Sequence, residues 1–169
     1  MSFLEECKEA IIDLEDNKEY TRFFNSFNRY NKVIVIGNGG SNAIASHMSQ
    51  DFVKFSGKRS LAFSDPSMLT CFINDFGMEN AYVKFLEAYA DRETLVILIS
   101  SSGNSQNIVN CVHYCEDKSI PYGMLTAFDK GNEMRKAAFN PEFNYHLDTR
   151  SYAVAECMHQ VFLHRIVNS

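Results

Sequence analysis

Two continuous apolar runs, each ending in a loop of glycine and serine, most constrain how this chain folds. The runs are KVIVIG at residues 32–37 and TLVILIS at residues 94–100, and neither alternates apolar with polar residues. Continuous runs of this length, rich in β-branched residues, are typical of strands buried on both faces of a parallel sheet. The first run enters GNGGS at residues 37–41, and the second enters SSSGNS at residues 100–105.

Further strand patterns, of which RSLAFS and FNYHLD are the weaker ones, and intervening helical patterns complete this arrangement. The further strand candidates are RSLAFS at residues 59–64, PYGMLTA at residues 121–127 and FNYHLD at residues 143–148. Apolar residues recur at helical spacing over residues 3–28 (with a break near Asn17), 42–55, 78–90, 105–118, 130–139 and 150–167. The alternation predicts an α/β fold, a three-layer αβα sandwich around a parallel sheet of about five strands. Both glycine-serine loops then lie at the carboxyl edge of the sheet, where ligands bind in such folds.

Composition narrows the class of protein. The chain has 169 residues, which predicts one domain over 1–169 with a helical N-terminal extension over about 1–30. Its net charge of -5 argues against a nucleic-acid binder. Five cysteines without a CxxC pair predict reduced thiols and a cytoplasmic location. No secretory signal and no apolar run near the ~20 residues of a membrane span is found, so no membrane partner is expected.

The two loops together predict a phosphate site. Each precedes a predicted helix, whose first N–H groups and positive dipole end attract anions. The hydroxyls of Ser41, Ser100, Ser102 and Ser105 can surround one phosphate through neutral donors. The GNGGS loop is neither a Walker A motif nor a dinucleotide fingerprint, because Asn42 stands where that fingerprint needs glycine. The alternative is that both loops are tight turns whose serines only cap helices.

Histidines and carboxylates on two predicted helices form a candidate metal or acid/base site. His47 and Asp51 are four residues apart and share a helix face. Glu156 and His164 are eight apart on the last helix, and His159 falls near the same side. Two histidines and two carboxylates suit Zn²⁺ or proton transfer. The alternative is that these histidines are ordinary surface or core residues.

Four segments resemble a known family. VIVIGNGGSNAIASH followed by ISSSGNSQNI resembles the SIS (sugar isomerase) domain, and SDPSMLTCFINDFG with AECMHQVFLH is similar to the phosphoheptose isomerases within it. The resemblance covers about residues 30–167. It implies a flavodoxin-like SIS fold and a homotetramer with sites near subunit interfaces. It also implies an enzyme that converts sedoheptulose 7-phosphate to glycero-manno-heptose 7-phosphate, for lipopolysaccharide or capsule biosynthesis.

The resemblance also implies roles for individual residues. Asp51 and His164 are the expected acid/base residues of an isomerisation through a cis-enediol, with one Zn²⁺ or other divalent metal per site. The expected metal ligands are His47, Asp51, Glu156 and His164. The expected substrate-binding residues are Asn38, Gly39, Gly40, Ser41, Asp65, Ser100, Ser101, Ser102, Ser105 and Glu156.

Three departures from the family pattern keep other functions open. Asp51 stands where the family has glutamate, Glu156 stands where it has glutamine, and Ala153 stands where it has aspartate. One alternative is an isomerase for a different sugar phosphate. Another is a non-catalytic, phosphosugar-binding SIS protein that acts through a protein partner, like the replication-initiator-associating members of the family.

Overall fold

The computed structural model describes residues 2–168 and contains five strands and eight α-helices over that range. The strands are β1 (Lys32–Gly37), β2 (Arg59–Ala62), β3 (Thr94–Ser100), β4 (Tyr122–Ala127) and β5 (Phe143–Leu147). The helices are α1 (Phe3–Glu15), α2 (Lys18–Arg29), α3 (Gly39–Ser56), α4 (Pro66–Phe76), α5 (Ala81–Tyr89), α6 (Gln106–Lys118), α7 (Glu133–Ala137) and α8 (Tyr152–His164), followed by a 3₁₀ turn at Arg165–Asn168.

All five strands are parallel and lie in the order β2-β1-β3-β4-β5. This is the flavodoxin-like order, in which the chain switches direction between β1 and β3. The switch places the loops after β1 and β3 side by side, because Gly37 pairs with Ile99 in register. The predicted parallel sheet of five strands is confirmed.

The sheet has an apolar core on each face, because successive strand residues point to opposite sides. Val33 and Val35 of β1 pack with α1, α2, α3 and α8, whereas Ile34 and Ile36 pack with α5, α6 and α7. The partly buried side of α4 joins this second core. The predicted three-layer sandwich is therefore confirmed, and the continuous apolar runs reflect burial on both faces.

The predicted helices agree with the structure to within three residues at each end, except that one helix was missed. The break near Asn17 is real, because Asn17 caps α2 by accepting a hydrogen bond from the Glu19 backbone. The sequence pattern assigned no helix to residues 66–76, where the structure has α4, and it began α5 three residues early. Asp65 caps α4 and Pro66 starts it, the usual N-terminal signals of a helix.

Two further observations concern the state of the cysteines and the suitability of the helices for a membrane. All five cysteines are free thiols, and Cys111 and Cys115 are buried in the core, where burial raises the pKa of Cys115 to about 12. Both are therefore packing residues with little thiolate character. Within residues 2–168, no helix is both long enough and apolar enough to cross a membrane.

Gly123 is required by packing inside the sheet. It pairs with Phe143 on the neighbouring strand, and a Cβ at this position would overlap the Phe143 ring. That ring is fully buried and contacts Phe23, with centroids 5.0 Å apart, so it has little room to move. We expect Gly123→Ala to lower the free energy of unfolding by about 1–3 kcal/mol, the usual cost of overpacking a core.

Urea unfolding of Gly123→Ala beside Gly131→Ala measures this effect. A Cβ at Gly131 meets nothing closer than Asp129 at 3.5 Å, so this control is expected to unfold like the wild type. Equal stability of the two variants would show that the Phe143 ring does not restrict position 123.

Candidate active site

A small cavity opens at the carboxyl edge of the sheet, between the loops that follow β1 and β3. Its volume is about 100 Å³. Hydroxyl groups dominate its wall, and no lysine or arginine among residues 2–168 contributes to it. The lining residues are Asn38, Ser41, Ile99, Ser100, Ser101, Ser102, Ser105, Tyr152 and Glu156. The structure thus brings together the four serines predicted to bind phosphate and Ser101, which was predicted as a substrate-binding residue.

Both helices that begin at this cavity lack a side-chain cap. Asn38 precedes α3 and Ser105 precedes α6, and neither side chain accepts a hydrogen bond from its helix. Of the other six helices, α5 also lacks such a cap, whereas side chains cap α1, α2, α4, α7 and α8. The first N–H groups of α3 and α6 are therefore left without a side-chain acceptor, and such groups bind anions.

The hydroxyl of Ser101 also lacks a partner. Ser101 is 4% exposed, and its Oγ makes no hydrogen bond within residues 2–168. Buried hydroxyls normally have a partner, so the Ser101 hydroxyl on the cavity wall is available to a bound molecule. Together with the two uncapped helices, it indicates a site for an anion with several acceptor oxygens.

Two glycines give the loops their shape. Gly103 has a φ of +64°, and a Cβ there would overlap the Asn132 side chain. Gly39 has a φ of +53° at the start of α3. These left-handed conformations favour glycine, and they let each backbone turn directly from strand to helix.

An amide pair joins the two loops. The side chains of Asn38 and Asn107 donate one hydrogen bond to each other, both of 2.9 Å, and Asn107 is buried. The pair fixes the start of α3 relative to the start of α6. Sequence reasoning missed Asn107, because nothing in the sequence shows that positions 69 residues apart meet.

A second group of polar side chains lies where α3 meets α8. His47, Asp51 and His164 place one ligand atom each within 4.8 Å of one another. The two histidine Nε2 atoms are 3.2 Å apart, and Asp51 Oδ2 lies 3.3 Å from His47 Nε2 and 3.2 Å from His164 Nε2. Asp51 is 8% exposed, whereas His47 and His164 reach solvent, so the cluster opens outward.

The triangle formed by these three atoms fits a tetrahedral metal. Ligands bound to Zn²⁺ at about 2.0–2.1 Å in tetrahedral geometry are about 3.3 Å from one another. The observed edges of 3.2 and 3.3 Å match that separation. Three protein ligands leave the fourth position open, which is the arrangement of catalytic zinc sites.

Sequence comparison assigns the chain to a family of known proteins. The family model described as SIS domain matches residues 13–122. This chain belongs to the SIS domain family. Phosphoheptose isomerase of Fusobacterium nucleatum subsp. nucleatum is 31% identical over 98% of this chain and 84% of that protein. Phosphoheptose isomerase of Histophilus somni is 34% identical over 63% of this chain and 57% of its own length.

Solved structures of other proteins share the fold of this chain. Phosphoheptose isomerase from Neisseria gonorrhoeae superposes with a TM-score of 0.88 at 22% identity, covering 98% of this chain and 92% of that one. The Vibrio vulnificus NanR protein, complexed with ManNAc-6P, gives a TM-score of 0.73 at 14% identity, covering 98% of this chain and 60% of that one. The predicted family is confirmed by the family model and the 31% identical relative, and the two solved structures show the shared fold.

Within this SIS domain, Glu156 does not lie in the predicted four-ligand arrangement. Its carboxylate packs against Gly40 at the start of α3 and lines the serine cavity, outside the group formed by His47, Asp51 and His164. Eight residues turn a helix by two turns and about 80°, which separates Glu156 from His164 around α8. The spacing argument treated that offset as one face.

Two other candidates also lie apart from the cluster. Asp65 caps α4 by accepting a hydrogen bond of 2.8 Å from the Met68 backbone, and it does not line the serine cavity. His159 is fully buried, and its Nε2 contacts the Thr126 carbonyl oxygen at 3.2 Å. Burial lowers the pKa of His159 to about 4, so it is a neutral core residue.

Proposed function

We propose that this SIS domain is an aldose–ketose isomerase of a sugar phosphate, with sedoheptulose 7-phosphate as its ketose and glycero-manno-heptose 7-phosphate as its aldose. The observation that carries the proposal is the coexistence of the serine cavity and the His47–Asp51–His164 cluster in one chain. The 31% identity to a phosphoheptose isomerase over nearly the whole chain supports the same class of reaction.

The serine cavity holds the phosphoryl group of the sugar. The N-termini of α3 and α6 supply backbone N–H donors, and Ser101 supplies an unpaired hydroxyl. The remaining predicted contacts are the hydroxyls of Ser41, Ser100, Ser102 and Ser105, with Gly39 and Gly40 allowing close approach of the backbone. Because the donors are neutral, the cavity binds phosphate through hydrogen bonds and helix dipoles.

Asp51 and His164 move the protons. Asp51 removes the proton from C1 of the ketose, which gives a cis-enediol, and returns a proton to C2 of the aldose. His164 transfers the proton between the two adjacent oxygens. The 3.2 Å contact between Asp51 Oδ2 and His164 Nε2 holds the two groups beside each other, so that they can act on adjacent atoms. Histidine and carboxylate are the usual residues for such transfers.

His47, Asp51 and His164 would hold one divalent metal, which we take to be Zn²⁺, through the three atoms of the triangle. The proton transfers would then use the second carboxylate oxygen of Asp51 and the second ring nitrogen of His164. When bound, it polarises the substrate oxygens and stabilises their negative charge. Asp51 is one methylene shorter than the glutamate that the family resemblance expects, so the carboxylate lies closer to its helix. Glu156, the predicted fourth ligand, lines the serine cavity, and we therefore propose three protein ligands.

The assembly and setting are also proposals. Exposed apolar side chains on α1 and at the C-terminal end of α4 support the predicted homotetramer, because clusters of apolar groups on a surface mark interfaces. They are Phe3, Leu4, Ile11, Ile12, Phe76 and Met78. A cytoplasmic location and a role in lipopolysaccharide or capsule biosynthesis remain predictions drawn from the sequence.

Incubation of the purified protein with sedoheptulose 7-phosphate and Zn²⁺ tests the function. We expect an aldose 7-phosphate to accumulate, and we expect chelation of the metal to abolish the reaction and Zn²⁺ to restore it. If no aldose forms either in the first incubation with Zn²⁺ or after Zn²⁺ is restored, the isomerase function is refuted. Phosphosugar binding without turnover would instead support the non-catalytic alternative, and turnover of another ketose phosphate would correct the substrate.

A further inference from the structure

Glu156 places a negative charge in a cavity built for an anion. It projects from α8 and is partly buried, and its carboxylate lies against Gly40 in the first turn of α3. A Cβ at Gly40 would overlap all three carboxyl atoms, which shows how closely the carboxylate approaches the backbone. The same carboxylate lines the wall formed by the five serines.

No cation neutralises this carboxylate. Within residues 2–168, Glu156 makes no hydrogen bond or ion pair, and the other residues around the cavity are uncharged. The positive end of the α3 dipole is the favourable interaction that its position provides. The carboxylate thus occupies part of the space, and faces some of the donors, that an incoming phosphoryl group needs.

Bare phosphate, that is, inorganic phosphate without a sugar, binds unfavourably beside the Glu156 carboxylate for two reasons. Both are negatively charged, and like charges a few ångströms apart repel strongly where water is excluded. Both are also acceptors, because an ionised carboxylate carries no proton to donate. A sugar phosphate differs, because its hydroxyl groups can donate hydrogen bonds to the carboxylate while its phosphoryl group accepts from the serines and helix ends.

We propose that Glu156 is a specificity-determining residue that weakens the binding of bare phosphate and favours sugar phosphates whose hydroxyls lie beside the phosphoryl group. The inference rests on the phosphate cavity of the proposed function and adds a rule for which ligands enter it. It is independent of the His47–Asp51–His164 cluster, so it can be tested in metal-free protein.

Calorimetric titration of Glu156→Gln tests this role. Inorganic phosphate and sedoheptulose 7-phosphate are each titrated into wild-type and variant protein in the presence of a chelator. We expect the affinity for inorganic phosphate to rise at least tenfold, because the variant removes the charge and adds an amide donor. We expect the affinity for sedoheptulose 7-phosphate to change less, so the preference for the sugar phosphate falls.

Glu93→Gln is the matched control. Glu93 is exposed and precedes β3 at the opposite edge of the sheet, so this variant changes the net charge equally without touching the cavity. We expect it to bind both ligands like the wild type. Equal phosphate affinity in Glu156→Gln and wild type, or a similar rise in Glu93→Gln, would overturn the role of Glu156. Failure of every variant to bind either ligand would refute the phosphate cavity itself.

Discussion

Replacing His164 with alanine is expected to lower the rate of isomerisation by a factor of about 10²–10⁴, the usual contribution of a general acid or base. The variant removes the imidazole whose Nε2 lies 3.2 Å from Asp51 Oδ2, and it also removes one of three metal ligands. The serine cavity lies outside the cluster, so binding of inorganic phosphate should stay unchanged. Steady-state kinetics and phosphate titration on the same preparation measure both quantities.

His113→Ala is the control for His164→Ala. His113 is exposed on α6 and belongs to neither the cluster nor the cavity. We expect it to react at the wild-type rate. A His164→Ala variant that keeps wild-type turnover would exclude His164 as an acid/base group. A variant that loses phosphate binding as well would show that the two parts of the site are not separate.

Replacing Ser101 with alanine is expected to weaken phosphate binding without weakening the fold. The Ser101 hydroxyl is buried and makes no hydrogen bond to any residue in the range 2–168, so its removal leaves no partner unsatisfied there. Folding stability should therefore stay constant or rise slightly. In the complex the hydroxyl donates to a charged acceptor, a bond worth about 1.5–3 kcal/mol, so affinity should fall by about 10–150-fold.

Ser26→Ala is the control, and the opposite pattern of stability and phosphate affinity is expected for it. Ser26 is also buried, but its hydroxyl donates a 2.7 Å hydrogen bond to Glu142, far from the cavity. We expect this variant to lose stability and to bind phosphate normally. Thermal unfolding and phosphate titration of both serine variants give four values. Loss of stability in Ser101→Ala, with unchanged affinity, would make Ser101 a packing residue.

The sequence predicts the sheet well because burial on two faces leaves a clear pattern. Runs such as 32–37 and 94–100 are apolar throughout, and the glycine-serine loops mark where these strands end. Helix α4 was missed because all its residues retain partial exposure, so its apolar side chains do not mark one fully buried stripe. Its cap, Asp65 followed by Pro66, was the available signal.

The site was predictable only as far as local spacing reaches. The four-residue spacing of His47 and Asp51 fixes them on one face of α3, and they meet. Over eight residues the rotation of the helix accumulates, so Glu156 turns toward Gly40 while His164 turns toward Asp51. The Asn38–Asn107 pair depends on the crossover of the chain between β1 and β3, which a single sequence does not specify.

The central claim is that the serine cavity and the His47–Asp51–His164 cluster act together to move a proton between adjacent carbons of a sugar phosphate. Proton NMR of sedoheptulose 7-phosphate with the zinc-loaded protein in D₂O tests it most directly. We predict an aldose 7-phosphate that carries solvent deuterium at C2, because a proton held by Asp51 exchanges with water. Formation of aldose without deuterium, or the same aldose from a protein lacking both Asp51 and His164, would contradict the claim.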